Sequence, residues 1–302
     1  MTLEERPTTW IDSRHSAAQV RQSKGKIGVE YRGKVAVITG ASSGIGKQIA
    51  LDFARRGAAV LIVARRAALL EQVAAACRAA GAEAEALTGD LAERAFAEAT
   101  VTRAVERFGR LDILINNAGI PKHKQFFDVT PEDIDYTMRT NFLAAAYMTV
   151  AALKPMLRQG EGYVVNISSG AGKIPPPRET VYAASKFALT GFTEGLWLDL
   201  AGSNIHPAVI HVGPIDTEIW DKAAAEAPVR YTGKKYPPSI VSDAVFECIE
   251  KRRYEMTVPR SLAWVFLFKA LLPGLFRRGA ARWDPVPAAL VAAARRRVTS
   301  DK

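Results

Sequence analysis

Short, unbroken apolar runs recur along this chain, and each is followed by a stretch with helical periodicity. Val35-Ala36-Val37-Ile38 and Val60-Leu61-Ile62-Val63 are the clearest. A strand with one face in water alternates apolar and polar residues, whereas a strand covered on both faces reads as a continuous apolar run. Further strands are predicted at 83–87, 112–115, 162–167, 205–210 and 255–258, separated by helices at 44–56, 67–80, 92–108, 131–158, 181–201 and 240–252. Doubly buried strands alternating with helices imply an α/β protein whose doubly wound parallel sheet carries helices on both faces. Such sheets bind ligands beyond the carboxyl ends of their strands, so polar signatures there carry the functional information.

The chain divides into three parts. Residues 1–32 are polar without a sustained apolar period and read as a loose extension; 33–259 hold the strand–helix alternation; 260–302 form a tail. The 302 residues carry a net charge of +10, unevenly spread. The tail holds nine Lys/Arg against two Asp/Glu, while 33–258 hold 26 against 25. A nearly neutral core argues against nucleic-acid binding, and the basic tail points to something anionic or to no partner at all. Two cysteines, Cys77 and Cys248, exclude a disulfide framework and read as buried thiols. The polar first residues predict a cytoplasmic protein without a secretory leader.

The first strand runs into Thr39-Gly40-Ala41-Ser42-Ser43-Gly44-Ile45-Gly46 and then a helix. Glycines allow a tight turn and close backbone approach to a pyrophosphate, and a helix N-terminus offers unpaired N–H groups. Between a buried strand and a helix, this is the setting a dinucleotide needs. The second strand ends in Ala64-Arg65-Arg66, with no carboxylate for a ribose 2′-hydroxyl. Arg65 suits a 2′-phosphate through charge-assisted bonds, so NADP(H) is expected in preference to NAD(H). Ser43 stands where many NADP sites carry a second basic residue. Asp90, with Leu91 beside it, follows the third strand, and its carboxylate can accept from an adenine amino group. Asn116-Asn117-Ala118-Gly119 follows the fourth strand.

Tyr182 and Lys186 are four residues apart on one helix face. An ammonium favours the phenolate, so the pair is expected to act as a general acid/base with a lowered phenol pKa. Ser169 or its neighbour Ser168, after the fifth strand, can hold the reacting oxygen. Asn141 lies within the long predicted helix, where its amide can hold a relay water.

Together these residues resemble the short-chain dehydrogenase/reductase family, over about three quarters of the chain from Gly33 to Pro259. The resemblance implies a Rossmann-type fold and hydride transfer between a nicotinamide cofactor and a carbonyl or secondary alcohol. It selects Ser169 over Ser168 and implies Tyr182 as acid/base, Lys186 as pKa tuner and ribose ligand, and Asn141 as part of a proton relay. Family members are often dimers or tetramers, so a homo-oligomer is expected. One departure stands out. Where the family usually reads Pro-Gly-x-x-x-Thr, this chain has Val212-Gly213-Pro214-Ile215-Asp216-Thr217. Gly213, the Ile215 backbone and the Thr217 hydroxyl are still expected at the nicotinamide. His211, just before this loop, reads as a structural histidine.

Residues 217–239 are expected to form a lid, and Ile219, Trp220 and Tyr231 hint at a hydrophobic lipid-, steroid- or retinoid-like substrate. In the tail, residues 262–276 are densely apolar and flanked by Arg260, Arg277, Arg278 and Arg282. The stretch is too short to span a bilayer. It either lies along a membrane surface through 260–282 or packs on the core or a second subunit. Residues 288–297 read as a basic amphipathic helix. The alternatives to an enzyme are a non-catalytic NADP-binding sensor or scaffold of the same fold and a membrane-tethered interaction protein.

Overall fold

The computed structural model describes residues 29–226, 231–283 and 288–300; most of the N-terminal extension expected at 1–32 lies outside the described residues. The strands are β1 (Val35–Thr39), β2 (Ala59–Ala64), β3 (Ala84–Thr88), β4 (Ile113–Asn116), β5 (Gly162–Ile167), β6 (Ile205–Val212) and β7 (Glu255–Val258). They form one parallel sheet in the order 3-2-1-4-5-6-7. Ile38 of β1 lies between Ile62 of β2 and Ile115 of β4. From β1 the strand order runs outward to β3, then reverses to β4 on the other side, so a crevice opens past the ends of β1 and β4.

The helices are α1 (Gly44–Arg55), α2 (Ala67–Ala79), α3 (Arg94–Phe108), α4 (Pro131–Met138), α5 (Ala144–Gln159), α6 (Thr180–Asp199), α7 (Ile219–Glu226), α8 (Ser239–Glu250), α9 (Leu262–Leu271), α10 (Pro273–Trp283) and α11 (Ala288–Ser300). α1 packs against α2 and α8 on one face of the sheet, and α3 against α5 on the other. The α3/α5 side encloses Val37, Leu61, Leu114, Met148 and Met156, all fully buried. Each such side chain contributes about 2 kcal/mol relative to exposure. Cys77 and Cys248 are buried free thiols, as expected.

Local chemistry sets where these elements end. Gly109 and Gly160 close α3 and α5 in the left-handed conformation. Thr130 opens α4 with a capping box: its hydroxyl accepts the Asp133 amide while the Asp133 carboxylate accepts the Thr130 amide. The long helix expected at 131–158 is interrupted, because Arg139–Leu143 form a π-helical turn around Asn141. β6 continues to Val212, beyond the expected end at 210; Val212 stands in register with Val258, and the next residue, Gly213, donates its N–H to the Val258 carbonyl. Pro207 is tolerated inside β6 because β7 begins only opposite Val209.

The tail folds back at β7. Leu262 and Phe266, on one side of α9, meet Gly170, and Phe266 lies edge-on to His211 at 6.1 Å. The opposite side of α9 faces outward. Among the described residues no helix is long and apolar enough to cross a membrane.

Candidate active site

The glycine turn is built by close packing. Gly40 adopts a φ of +66°, and a Cβ there would lie 2.9 Å from the Ala118 backbone. A Cβ on Gly46 would lie 2.5 Å from both Asn117 Nδ2 and the Gly40 carbonyl oxygen. Gly44 is equally tight, with Thr217 Cγ2 at 2.9 Å from its would-be Cβ. The turn therefore lies directly beneath the loop after β6. Ser43 precedes α1 without capping it, so the first amides of the helix, at Gly44, Ile45 and Gly46, receive no side-chain cap. An uncapped N-terminus beside tight glycines fits the pyrophosphate of a dinucleotide.

Asn117, expected at the cofactor, braces the glycine turn. Its amide nitrogen donates to the Thr39 and Gly40 carbonyls at 2.8 and 3.3 Å, and Thr39 Oγ1 accepts the Asn117 and Ala118 backbone amides at 2.9 Å each. Asn116 turns into the core and donates to Asn166 at 2.8 Å. Leu91 buries its side chain in the core, leaving only its backbone for a ligand. Asp90 accepts the Ala92 amide at 3.0 Å and the Tyr136 hydroxyl at 2.9 Å.

The two arginines after β2 diverge. Arg65 donates to Tyr136 and stands 3.8 Å from Asp90, away from the glycine turn. Arg66 reaches that turn: its guanidinium lies 3.1 Å from Ser42 Oγ and 2.6 Å from Ser43 Oγ, and it binds Glu218 at 2.7 Å. Two hydroxyls and a guanidinium thus converge where a second basic residue of the turn is missing. Glu218 and Tyr136 had no signal in the sequence, because each acts across a long chain separation.

Ser168 and Ser169 separate cleanly. Ser168 is buried and donates to the Lys186 carbonyl of α6 at 3.2 Å. Ser169 Oγ accepts the Ala171 amide at 3.1 Å and bonds the Tyr182 phenol. Gly172 makes this possible, since a Cβ there would lie 2.7 Å from Ser168 Oγ and 2.9 Å from the Lys186 carbonyl.

On α6, Lys186 is 4% exposed; its Nζ donates to the Ile167 carbonyl at 3.0 Å and stands 5.9 Å from the Tyr182 ring centre. A Cβ on Gly119 would lie 3.4 Å from both Lys186 Nζ and Asn141 Oδ1, so these groups meet at one spot past the end of β4. Burial pushes the Lys186 ammonium down to about 8. Burial also pushes the Tyr182 phenol up to about 12, outweighing the Ser169 bond that favours the phenolate. The lowered phenol pKa expected from the Tyr–Lys spacing is therefore reversed here, because burial is the larger effect.

Asn141 is held by the loop after β4 and by α6. Its Oδ1 accepts the Ile120 amide at 2.8 Å, and its Nδ2 donates to the Ile120 carbonyl and to Ser185 Oγ, both at 3.0 Å. Both of its N–H groups are therefore spent on protein, which fixes the side chain between Ile120 and α6.

The loop after β6 and the lid cover this cleft. Gly213 donates to the Val258 carbonyl at 2.7 Å, and the Ile215 carbonyl accepts the Trp220 indole N–H at 2.7 Å. Trp220 and Tyr231 stack on each other at 5.3 Å, so part of the lid's aromatic surface is spent within the lid. At the far end of α7, Glu226 accepts from Lys122 Nζ and from the His123 amide, each at 2.6 Å. His211 is fully buried, 3.2 Å from Glu255, which fits a structural role.

Comparison with known proteins agrees with this geometry. Residues 34–228 match the family model described as short chain dehydrogenase. The chain is 37% identical over 221 residues to an uncharacterized oxidoreductase of Thermotoga maritima, covering 68% of this chain and 87% of that one. It is 34% identical over 248 residues to the 11-beta-hydroxysteroid dehydrogenase-like 3 of Arabidopsis thaliana, covering 82% and 80%. A crystal structure of a short chain dehydrogenase/reductase from Burkholderia phymatum, in complex with NAD, superposes with a TM-score of 0.75 at 26% identity, covering 85% of this chain and 99% of that one. With its parallel sheet, its glycine turn and its Ser–Tyr–Lys cluster, this chain belongs to the short-chain dehydrogenase/reductase family of oxidoreductases.

Proposed function

We propose that the protein is an NADP(H)-dependent reductase acting on a hydrophobic carbonyl compound, or on the corresponding secondary alcohol in reverse. The observation that carries this reading is the meeting of the Tyr182 phenol with Ser169 beside the buried Lys186 ammonium. A bound NADP(H) supplies the hydride that adds to the carbonyl carbon, or accepts it in reverse. Ser169 holds the carbonyl oxygen, and the Tyr182 O–H bond breaks as its proton passes to that oxygen. A phenol near pKa 12 stays protonated at neutral pH, so the site is set for donation. The transfer stays downhill, because an alkoxide is a stronger base still, water itself having a pKa of about 15.7. The Lys186 charge stabilises the phenolate left behind.

For the cofactor, Gly40, Gly44 and Gly46 with the α1 amides fit the pyrophosphate. Ser42, Ser43 and Arg66 fit a 2′-phosphate, with Arg65 and Asp90 further out. Gly119, Lys186, Ile215 and Thr217 lie on the nicotinamide side. No carboxylate follows β2, which favours NADP(H) over NAD(H). Replacing Arg66 by Ala is expected to raise KM for NADPH more than tenfold and to change that for NADH less than twofold. Glu218 competes for the same guanidinium, so Glu218→Gln lowers the NADPH KM. Steady-state kinetics with both cofactors, on a panel of hydrophobic ketones, measures this; equal effects on NADPH and NADH would reject the assignment.

The hydrophobic substrate is supported by the hydroxysteroid dehydrogenase-like name of a relative and by the apolar α9 beside Ser169. A homo-oligomer belongs to the same reading. The outer sides of α5 and α6 expose Val150, Leu157, Trp197 and Leu198, more apolar surface than a lone chain needs to leave in water. Light scattering is expected to give a multimer that Val150→Glu/Leu198→Glu reduces to a monomer; a monomeric parent chain would reject it.

A further inference from the structure

α9 is apolar around its whole circumference, yet the fold covers only one side of it. Leu262 and Phe266 rest on Gly170, and Lys269 donates to the Lys173 carbonyl and lies 5.3 Å from the Phe187 ring. The other side holds Trp264, Val265, Leu267, Phe268 and Leu271, exposed by 40 to 73%. α10 continues the surface: Phe276 packs on Phe268 at 6.2 Å, while Leu275 stays exposed. A helix apolar all round is stable only with both sides covered, so this side has a partner.

Charge identifies the partner. Residues 259–283 contain Arg260, Lys269, Arg277, Arg278 and Arg282 and no acidic residue. Arg260 is paired with Glu247 at 2.9 Å, and Arg277 and Arg278 stand exposed on α10 next to the apolar strip. A second copy docking face to face would set these cations against themselves. An anionic lipid surface accepts both features, taking the apolar side chains below the headgroups and the arginines among them.

We infer that α9 and α10 seat the protein on an anionic bilayer, and that the bilayer is the reservoir from which a lipophilic substrate reaches the site. The second half rests on the reductase reading. Its structural basis is proximity: the inner side of α9 touches Gly170, the neighbour of Ser169, and Lys269 touches the ring next to Lys186. A helix lying in the headgroup region therefore places the cleft at the membrane surface.

The test uses the full chain and sedimentation of vesicles made of phosphatidylcholine with or without 30% phosphatidylserine. Binding is expected to the anionic vesicles and to weaken with salt. Arg277→Glu/Arg278→Glu is expected to lower the partition coefficient about thirtyfold or more, from roughly fivefold per basic residue. Trp264→Glu/Leu271→Glu, at the two most exposed apolar positions, is expected to lower it more than tenfold while a water-soluble ketone is still reduced at the parent rate. Failure to bind either vesicle, or binding unchanged in the Trp264/Leu271 variant, overturns the inference. So does a multimer that this variant alone dissolves, which would assign the face to a second copy. Vesicle binding needs no turnover, so a failed reductase reading leaves this result standing.

Discussion

Replacing Tyr182 by Phe lowers kcat for carbonyl reduction by about a thousandfold, in the middle of the range for loss of a general acid. The exchange removes one oxygen and keeps the ring, so the packing of α6 survives. Ser169 loses its phenol partner but keeps the Ala171 amide, and so stays in place. The phenol oxygen bonds Ser169, while the glycine turn is braced by Asn117 and Arg66. The dissociation constant for NADPH, read by cofactor fluorescence, is therefore expected to stay within twofold while single-turnover reduction collapses. Turnover within tenfold of the parent chain would mean that another group delivers the proton, and would reject Tyr182 as the general acid; a parent chain that binds NADPH but turns over no carbonyl would belong with binding proteins.

Lys186→Met is expected to separate stability from activity. The ammonium is buried and bonds the Ile167 backbone carbonyl, and burial is what lowers its pKa. Its value falls from 10.5 in the open chain to about 8 in the fold. Below pH 8 both states are charged, and the folded state bears the whole cost of the buried charge. As pH rises from 8 to 10.5 the folded state sheds its proton first, and this cost disappears. Lys186 therefore destabilises the protein at neutral pH and less so in alkali. Methionine fills similar volume without the charge, and after loss of the Ile167 bond the net gain is about 2 kcal/mol at pH 7. That corresponds to a Tm higher by about 5 °C, with the alkaline stabilisation of the parent chain abolished. Reduction falls about a hundredfold, since nothing then stabilises the phenolate. In the parent chain, activity declines as pH passes 8 and Lys186 loses its charge. A lower Tm in the variant, with no change in the pH slope, would show that the ammonium is not a burden on the fold.

The sheet was readable in the sequence because burying a strand on both faces leaves an unmistakable apolar run, as in Val35–Ile38 and Val60–Val63. The glycine turn and the Tyr182–Lys186 spacing were readable for a similar reason: each is local, and its geometry follows from backbone periodicity. What escaped depends on directions and distances set by the tertiary fold. Arg65 and Arg66 are adjacent and chemically identical, and only the direction in which β2 releases each side chain sends Arg66 to Ser42 and Ser43. Asn141 was visible as an amide in a helix, but its commitment to Ile120, and the π-helical turn around it, depend on the loop after β4. The sign of the Tyr182 shift was missed because spacing reports the ammonium and says nothing of burial, which proved larger. Of the tail's two readings, packing on the core holds for one side of α9, where Leu262 and Phe266 meet Gly170 and His211.

α7 is tethered at both ends, by Glu218 to Ser43 and Arg66 and by Glu226 to Lys122 and His123. One tether ends at the glycine turn, the other in the loop that follows β4. Whatever pulls Glu218 from its arginine changes the freedom of a helix still anchored at Glu226, so the two halves share a mechanical link. If nucleotide changes the affinity of a molecule that binds at the Glu226 end, thermodynamic reciprocity requires that molecule to change nucleotide affinity by the same factor.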